Sequence, residues 1–161
     1  MQNVPNIAFI GLGSNLDNPE KQLNTAIDYL QLEKNIIVLK QSSFYATKPY
    51  GYLDQNDFVN AVVQIETTLD CWELFKTLQS IEQKQKRLKT WRWGPRVIDL
   101  DILCYDSLVL DKPELCIPHP GIKLRDFVLQ PWTEITPEWV LPDGSVVGEL
   151  YRKLLCYSEV V

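Results

Sequence analysis

The sequence predicts an α+β fold in which an antiparallel sheet carries helices mainly on one face and leaves the other open to a ligand. Hydrophobic patterns typical of strands and helices follow one another in the order β-α-β-β-α-β, the split βαβ or ferredoxin-like arrangement, with additions at the C-terminal end. The 161 residues, 45% of them hydrophobic and 23% charged, fit one domain with a single core. We therefore expect one domain over residues 1–161.

The first two elements are separated by a clear turn signal. Ile7 to Leu12 predicts a strand, and a helix with apolar residues at helical spacing follows from about Pro19. The motif GLGSN between them is only a fragment of a dinucleotide fingerprint, because Leu16 stands where the third glycine belongs. A strand-to-helix turn capped by Ser14 or Asn15 is favoured over a phosphate loop.

The middle of the chain predicts two strands around a loop. A strand from about Ile36 to Tyr45 is followed by a long polar, aromatic-bearing loop over residues 47–57. The next strand, Phe58 to Thr67, alternates: the core face holds Val59, Ala61, Val63 and Ile65, and the other face holds Phe58, Asn60, Val62, Gln64 and Glu66. This second face puts an aromatic ring beside an amide, which suits a flat ligand that forms hydrogen bonds.

The remaining elements follow from capping and turn residues. Asp70 is expected to cap a helix with an apolar stripe that runs to about Leu88. The later predictions are a strand over residues 97–105, a hairpin arm near Leu108 to Leu110, a helix from about Lys123 to Gln130, a Pro142-Asp-Gly turn and a final helix near Val147 to Leu155.

Two carboxylates share one face of the strand in RWGPRVIDLDI, residues 92–102. A period of two puts Asp99 and Asp101 on one face, opposite the apolar residues that alternate with them. Such carboxylates lie roughly 7 Å apart along the backbone and repel each other, so a cation is expected beside them. Because the chain has one histidine, His119, and four dispersed cysteines, we expect Mg²⁺ or Mn²⁺ rather than zinc.

Charge is distributed unevenly along the chain. The net charge of −5 argues against general nucleic-acid affinity. Residues 83–98, however, contain no acid, and their bases are Lys84, Lys86, Arg87, Lys89, Arg92 and Arg96. This run indicates a small polyanion such as the phosphates of a nucleotide, although a solvated helix end is the alternative for Lys84 and Lys86. Carboxylates, cations and an aromatic-amide face are the parts that metal-assisted phosphoryl transfer needs, here without a P-loop or protein-kinase motif.

The compartment also follows from the sequence. No apolar run approaches the roughly 20 residues that span a bilayer. The start MQNVPNIAFIGLG has neither a basic n-region nor an apolar run long enough for a signal peptide. We therefore expect a cytoplasmic protein with reduced thiols and with neither membrane nor nucleic acid as a partner.

Five motifs together resemble one enzyme family: GLGSN, SSFYATKPYG, DFVNAVVQIET, RWGPRVIDLDI and PHPGIKLRDFVLQPWTEITPE. They closely resemble the 6-hydroxymethyl-7,8-dihydropterin pyrophosphokinases, from about Ile7 to Gly144, and RWGPR-x-x-DLDI followed by PHP-x-x-x-x-R-x-F is highly specific. The resemblance implies a cytoplasmic, ferredoxin-like enzyme of the folate pathway, expected as a monomer. Such enzymes use ATP as co-substrate and two Mg²⁺ ions to place a diphosphate on the pterin's hydroxymethyl oxygen, releasing AMP.

The resemblance also implies roles for individual residues. Asp99 and Asp101 would bind the metals, and Arg96 and Arg87 would act in catalysis on the triphosphate. The nucleotide positions are Gln79, Glu82, Lys89, Arg96, Ile102, His119 and Arg125. The pterin positions are Thr47, Tyr50, Phe58, Asn60, Trp93, Asp99 and Phe127, with two aromatic rings stacked on the pterin and Asn60 at its amide edge.

Three positions depart from the family's pattern, and three other functions remain as alternatives. Lys89 replaces a second lid arginine, Gly121 a basic residue and Cys116 a threonine; none of these removes a metal ligand. A single-stranded RNA-binding module is disfavoured by the carboxylate pair and by the lack of an aromatic RNP1 motif. A paralogue that binds pterin without turnover and a regulatory amino-acid-binding domain are the others.

Overall fold

The computed structural model of the chain describes residues 4–16, 18–47, 57–85 and 97–160. The strands are β1 (Asn6–Ser14), β2 (Ile36–Gln41), β3 (Tyr45–Thr47), β4 (Phe58–Thr67), β5 (Asp99–Tyr105), β6 (Leu110–Asp111) and β7 (Cys116–Ile117). The helices are α1 (Pro19–Leu32), α2 (Cys71–Lys84), α3 (Asp126–Ile135) and α4 (Val147–Val160), with a 3-10 turn at Ile122–Leu124. The structure combines helices with an antiparallel sheet, which confirms that part of the predicted α+β fold.

The main sheet is antiparallel and has the strand order β2-β4-β1-β5. β3 also pairs with β4, along the edge that β2 uses further on. The single strand expected from Ile36 to Tyr45 is therefore two strands. They separate at Ser42, whose hydroxyl oxygen accepts the Val62 N–H at 2.9 Å where a backbone carbonyl would continue the ladder.

A first core lies between the sheet and helices α1 and α2. Ala8, Ile10 and Leu12 alternate along β1 and are buried against apolar residues of both helices, among them Leu23 and Leu74. The spacing of these side chains is the period of two that the sequence predicts. This face of the sheet is thus covered as expected.

A second core lies on the opposite face, under α3 and α4. Phe9, Val62 and Leu103 are buried there, and the ring centroids of Phe9 and Trp132 are 4.9 Å apart. The expectation of helices mainly on one face is therefore wrong, and Val62, assigned to the ligand face, is 0% exposed. Alternation shows which side chains share a face but not what covers them. The carboxylate-bearing end of this face lies outside the second core.

The helix boundaries show where capping and proline signals hold. At α2, the Glu73 N–H donates to Asp70 Oδ1 at 2.8 Å and the Asp70 N–H to Glu73 Oε1 at 2.9 Å, a capping box. The predicted end at Leu88 lies outside the described residues. α3 continues past Pro131, where the sequence predicted a stop, because the next residue, Trp132, is fully buried in the second core.

Two further expectations concern thiols and membranes. The structure has four free cysteines, which agrees with the reduced thiols expected from the sequence. Neither α4 nor any other helix in the described part of the chain has the length and apolar character that a bilayer crossing needs.

Replacing the cap of α2 tests the contribution of this helix to stability. Asp70→Ala removes one half of the capping box, so we expect a loss of about 1 kcal/mol in the free energy of unfolding, measured by urea denaturation. Asp28→Ala, which truncates an exposed carboxylate inside α1, is the matched control and should change stability by less than about 0.5 kcal/mol. Equal effects of the two substitutions would contradict the assignment.

Candidate active site

The candidate site lies where three strands of the sheet run side by side. Gly13 of β1 pairs with Asn60 of β4 on one side and with Asp99 of β5 on the other. Residues directly opposite on neighbouring strands share a face, so an amide, a glycine and a carboxylate form one row, the Asn60–Gly13–Asp99 row. Two residues along, Gly11 pairs with Asp101, which places the second carboxylate on the same face.

The amide in this row is held in a fixed orientation. Asn60 is 7% exposed, and its Nδ2 donates to Thr47 Oγ1 at 2.6 Å. A Cβ on Gly13 would fall 2.9 Å from Asn60 Oδ1 and 4.0 Å from the nearest carbon of Phe58. Glycine therefore leaves room for the Asn60 carbonyl over β1. The structure thus brings together Thr47, Phe58 and Asn60, three of the predicted pterin residues.

The strand that carries the aspartates is tied to α2 by a buried carboxylate. Glu82 is 7% exposed, and its Oε2 accepts the backbone N–H of Leu100 at 3.0 Å. Because Leu100 lies between Asp99 and Asp101, this bond helps to hold the stretch of β5 that bears both. Glu82 was predicted as a nucleotide residue, and what the structure shows is its hydrogen bond to β5. Gln79, predicted for the nucleotide as well, is exposed on α2.

A cavity of about 180 Å³ opens next to Asp101. It is lined by Phe75, Leu100, Asp101, Ile102, Glu114, Leu115, Cys116, His119 and Pro120. Two predicted nucleotide residues, Ile102 and His119, thus share one space with a predicted metal ligand. Apolar walls with a few polar groups are typical of small-molecule sites.

The histidine in this cavity is neutral at physiological pH. Its backbone N–H donates to the Leu103 carbonyl at 3.0 Å, which holds it beside β5. The Gly121 N–H donates to His119 Nδ1 at 3.1 Å, so the ring carries its proton on Nε2. Burial and, to a lesser degree, the positive charge of Arg125 lower the pKa of His119 to about 4. The ring therefore offers an uncharged N–H donor.

Arg125 occupies the space that a side chain at position 121 would need. A Cβ on Gly121 would fall 2.5 Å from Arg125 Nε and 2.8 Å from Cζ. The guanidinium carbon also lies 5.7 Å from the ring centroid of Phe127. Glycine at position 121 thus leaves room for the guanidinium group of Arg125. Phe127, the remaining described pterin residue, is half-buried on α3.

The donor set at the sheet suits one kind of metal. In the described ranges, no group of three or more His, Cys, Asp or Glu residues is arranged to hold an ion. Mg²⁺ does not need such a cage, because it keeps several waters and binds through one or two carboxylates together with substrate phosphates. Asp99 and Asp101, two carboxylates on one face, would fit magnesium in that form and lack the nitrogen and sulfur ligands of a closed zinc site.

Several predicted site residues lie outside the described residues. They are Tyr50, Arg87, Lys89, Trp93 and Arg96.

The GLGSN segment differs from its predicted role as a turn. β1 extends to Ser14, so Gly13 is a strand residue of the site rather than part of a turn. The expected cap by Ser14 or Asn15 is also wrong, because Asn18 is the N-cap of α1, without a side-chain capping bond to the described residues. Glycines at alternate positions, 11 and 13, were the signal that one face of this strand stays clear of side chains.

The fold and these features define a small protein with an antiparallel sheet, helices on both faces and a candidate small-molecule site. The model of the family "7,8-dihydro-6-hydroxymethylpterin-pyrophosphokinase (HPPK)" matches residues 9–137, and the chain belongs to this family. This confirms the resemblance found in the sequence.

Individual relatives agree with the family match. A 2-amino-4-hydroxy-6-hydroxymethyldihydropteridine pyrophosphokinase of Haemophilus influenzae is 42% identical over 153 residues, which are 95% of this chain and 96% of the relative. The enzyme of that name from Bacillus subtilis is 43% identical over 81% of this chain and 78% of the relative. Plasmodium falciparum HPPK-DHPS with pteroate has a similar structure, with a TM-score of 0.77 over 99% of this chain and 44% of that chain. At 17% identity, that likeness shows the fold alone.

Adding a methyl group in the row tests how tightly the amide is held. Gly13→Ala should displace Asn60 from Thr47 and destabilise the fold by about 1–3 kcal/mol, because the new Cβ would meet Asn60 Oδ1 at 2.9 Å. In Gly11→Ala, the matched control, the Cβ meets the end of the Leu103 side chain at 3.2 Å and does not approach Asn60. The side-chain amide resonances of Asn60 should shift in the first variant only. Unshifted resonances in Gly13→Ala would contradict this packing.

The single histidine gives one unambiguous titration. We expect the ring of His119 to titrate near pH 4 by NMR, with the Nε2–H tautomer above that pH. Because the folded pKa lies below the unfolded value of about 6.5, the unfolded state takes up the proton first, so stability should fall as pH drops from about 6.5 to 4. His119→Asn should flatten that part of the profile. A midpoint near 6.5 in the folded protein would refute the burial argument.

Proposed function

We propose that this chain transfers the diphosphate of ATP to the hydroxymethyl group of 6-hydroxymethyl-7,8-dihydropterin, giving the pterin diphosphate and AMP in tetrahydrofolate biosynthesis. The family match and the relatives named for this activity support the proposal. The structural observation that carries it is the Asn60–Gly13–Asp99 row, which sets an amide for a flat heterocycle on the same face as two carboxylates.

The pterin ring would lie against β1 over Gly13. Asn60 would meet the amide edge of the ring, and Asp99, across β1, would accept a hydrogen bond from the hydroxymethyl group. Phe58 and Phe127 are the described aromatic residues that could stack on the ring. The family motifs add Tyr50, Thr47 and Trp93 to this set.

The nucleotide would occupy the cavity beside Asp101. Ile102 offers an apolar wall, and the neutral His119 offers a donor suited to a ribose or phosphate oxygen. Arg125, whose positive charge lowers the pKa of His119, would act on the phosphates. The motifs place Gln79, Glu82, Arg87, Lys89 and Arg96 with the nucleotide as well, with Arg87 and Arg96 on the transferred phosphates.

Asp99 and Asp101 would hold two Mg²⁺ ions together with the phosphates of ATP. When bound, the metal would neutralise charge that develops on the phosphates during transfer. The chain's own part is to orient the hydroxyl group at Asp99, to keep β5 in place through Glu82, and to hold the nucleotide next to it.

The proposal also covers the organisation of the chain. Four strands in the order β2-β4-β1-β5, with α1 and α2 on one face, support a ferredoxin-like core in one domain. The short strands and α3 and α4 would be additions to that core. We further propose a cytoplasmic monomer with small-molecule substrates, and the net charge of −5 supports the absence of nucleic acid among its partners.

Replacing each aspartate tests the proposed chemistry. In an assay with ATP, Mg²⁺ and the pterin, the wild-type chain should form AMP. Asp99→Asn and Asp101→Asn should lower turnover by on the order of 10³ or more, because metal binding is lost. Asp28→Asn, on the exposed side of α1, is the control. Formation of ADP, or wild-type turnover of either site variant at saturating Mg²⁺, would refute the proposal.

A further inference from the structure

A carboxylate outside the candidate site, Glu134, ties the strand that carries Thr47 to α3. The Ser43 N–H donates to Glu134 Oε1 at 3.0 Å and to Oε2 at 3.1 Å, and the Ser43 hydroxyl donates to Oε2 at 3.0 Å. The Tyr45 hydroxyl donates to Oε1 as well. One side chain near the end of α3 thus accepts from two donors of Ser43, just before β3, and from one donor of Tyr45, its first residue.

The short length of β3 makes this tie important. β3 has three residues, and β4 is its only strand partner in the part of the chain that the structure describes. It is separated from β2 by the interruption at Ser42. Short edge segments with few backbone bonds are the parts of a fold that open most easily. β3 therefore depends on contacts beyond its own ladder.

The end of α3, which carries Glu134, is itself held in place by other contacts. Trp132, two residues before Glu134, is 0% exposed in the second core. Lys40 Nζ donates to the Ile135 carbonyl at 3.1 Å, and Thr136 Oγ1 donates to Gln64 Oε1 at 3.0 Å, so the helix end is joined to β2 and β4. Glu134 thus connects β3 to a part of the molecule that is itself fixed.

The position of β3 in turn sets the amide of the Asn60–Gly13–Asp99 row. Tyr45 pairs with Asn60 across the ladder, and Thr47 pairs with Phe58. Thr47 Oγ1 accepts the bond from Asn60 Nδ2 at 2.6 Å, so a shift of β3 moves the only acceptor described for this amide group. A chain of contacts therefore runs from Glu134 through Tyr45 and Thr47 to Asn60.

The contact is charge-assisted at neutral pH. Partial desolvation acts to raise the pKa of Glu134, but the hydrogen bonds from Tyr45 and Ser43 outweigh it and lower the pKa. The bond to Glu134 is in turn the main cause that raises the pKa of Tyr45 to about 12. The carboxylate thus stays ionised and the phenol stays protonated, which makes the hydrogen bonds stronger than those between neutral groups.

We propose that Glu134 is a positioning residue for the pterin: it holds β3 through Ser43 and Tyr45, and thereby keeps Thr47 and Asn60 where the ring binds. The identity of the ligand in this inference rests on the proposed function. Glu134 acts through its neighbours and not by contact with a substrate, so its loss weakens binding of the pterin and leaves the nucleotide cavity unchanged.

The first test compares kinetic constants of Glu134→Gln and the wild-type chain. Glutamine keeps one accepting carbonyl oxygen but replaces the other oxygen with an NH2 donor and loses the negative charge, so Ser43 and Tyr45 cannot both keep their bonds. KM for the pterin should therefore rise on the order of tenfold, while KM for ATP and kcat stay within about twofold. Asp143→Asn is the matched control, because Asp143, like Glu134, is an exposed carboxylate that accepts a backbone N–H, that of Ser145 at 2.9 Å. Its other partner is Lys123. Asp143→Asn should change neither KM.

A double-mutant cycle tests whether Glu134 acts through Tyr45. Tyr45→Phe should raise KM for the pterin by part of the same factor, and the double variant should be no worse than Glu134→Gln alone, because the two groups form one contact. A wild-type pterin KM in Glu134→Gln, an equal rise in both KM values, or full additivity with Tyr45→Phe would overturn the proposal.

Hydrogen exchange tests whether Glu134 holds β3 in place, and it does not require turnover. In Glu134→Gln, amides of residues 45–47 should exchange faster than in the wild-type chain, while those of β1 stay unchanged. Equal exchange at residues 45–47 would overturn the positioning role. If the wild-type chain forms no AMP, the proposed function fails, but the exchange result still decides whether Glu134 holds β3.

Discussion

The register of β1 between β4 and β5 is the constraint on which the site depends. It sets Gly13 opposite both Asn60 and Asp99, and so brings together an amide and a carboxylate that lie far apart in the sequence. A slip of one residue in either ladder would turn one of these side chains to the other face of the sheet. The apolar residues that alternate with Gly11 and Gly13 along β1 oppose a slip of this strand, because it would take Ala8, Ile10 and Leu12 out of the first core.

Three buried or charged contacts fix the strand residues at the edges of the site. Glu82 holds the backbone between the two aspartates, Thr47 holds the amide of Asn60, and Glu134 holds the short strand that bears Thr47. In each case a polar group from another element fixes a strand residue, and the glycines of β1 leave the surface between them clear. The site is therefore preorganised by the fold on the side that the structure describes.

The sequence predicted the elements whose signals are local. β4 begins at Phe58 and ends at Thr67 as its alternation indicates, and α2 begins after the capping residue Asp70. The break at Ser42 was not predictable, because a side chain there takes the place of a backbone acceptor. The second core depends on helices whose partners are strands from the first two-thirds of the chain, and alternation says nothing of such coverage.

At the site, too, local signals were predictable and contacts between distant residues were not. The carboxylate pair follows from a period of two within one strand, whereas Glu134 meets Tyr45 across 89 positions of the chain and no local pattern marks it.

A crystal structure with 6-hydroxymethyl-7,8-dihydropterin, a non-hydrolysable ATP analogue and Mg²⁺ tests the account most directly. It should show the pterin over Gly13 with its amide edge at Asn60, and metal between the two aspartates and the phosphates. A pterin bound away from the Asn60–Gly13–Asp99 row, or metal held without Asp99 and Asp101, would contradict the account.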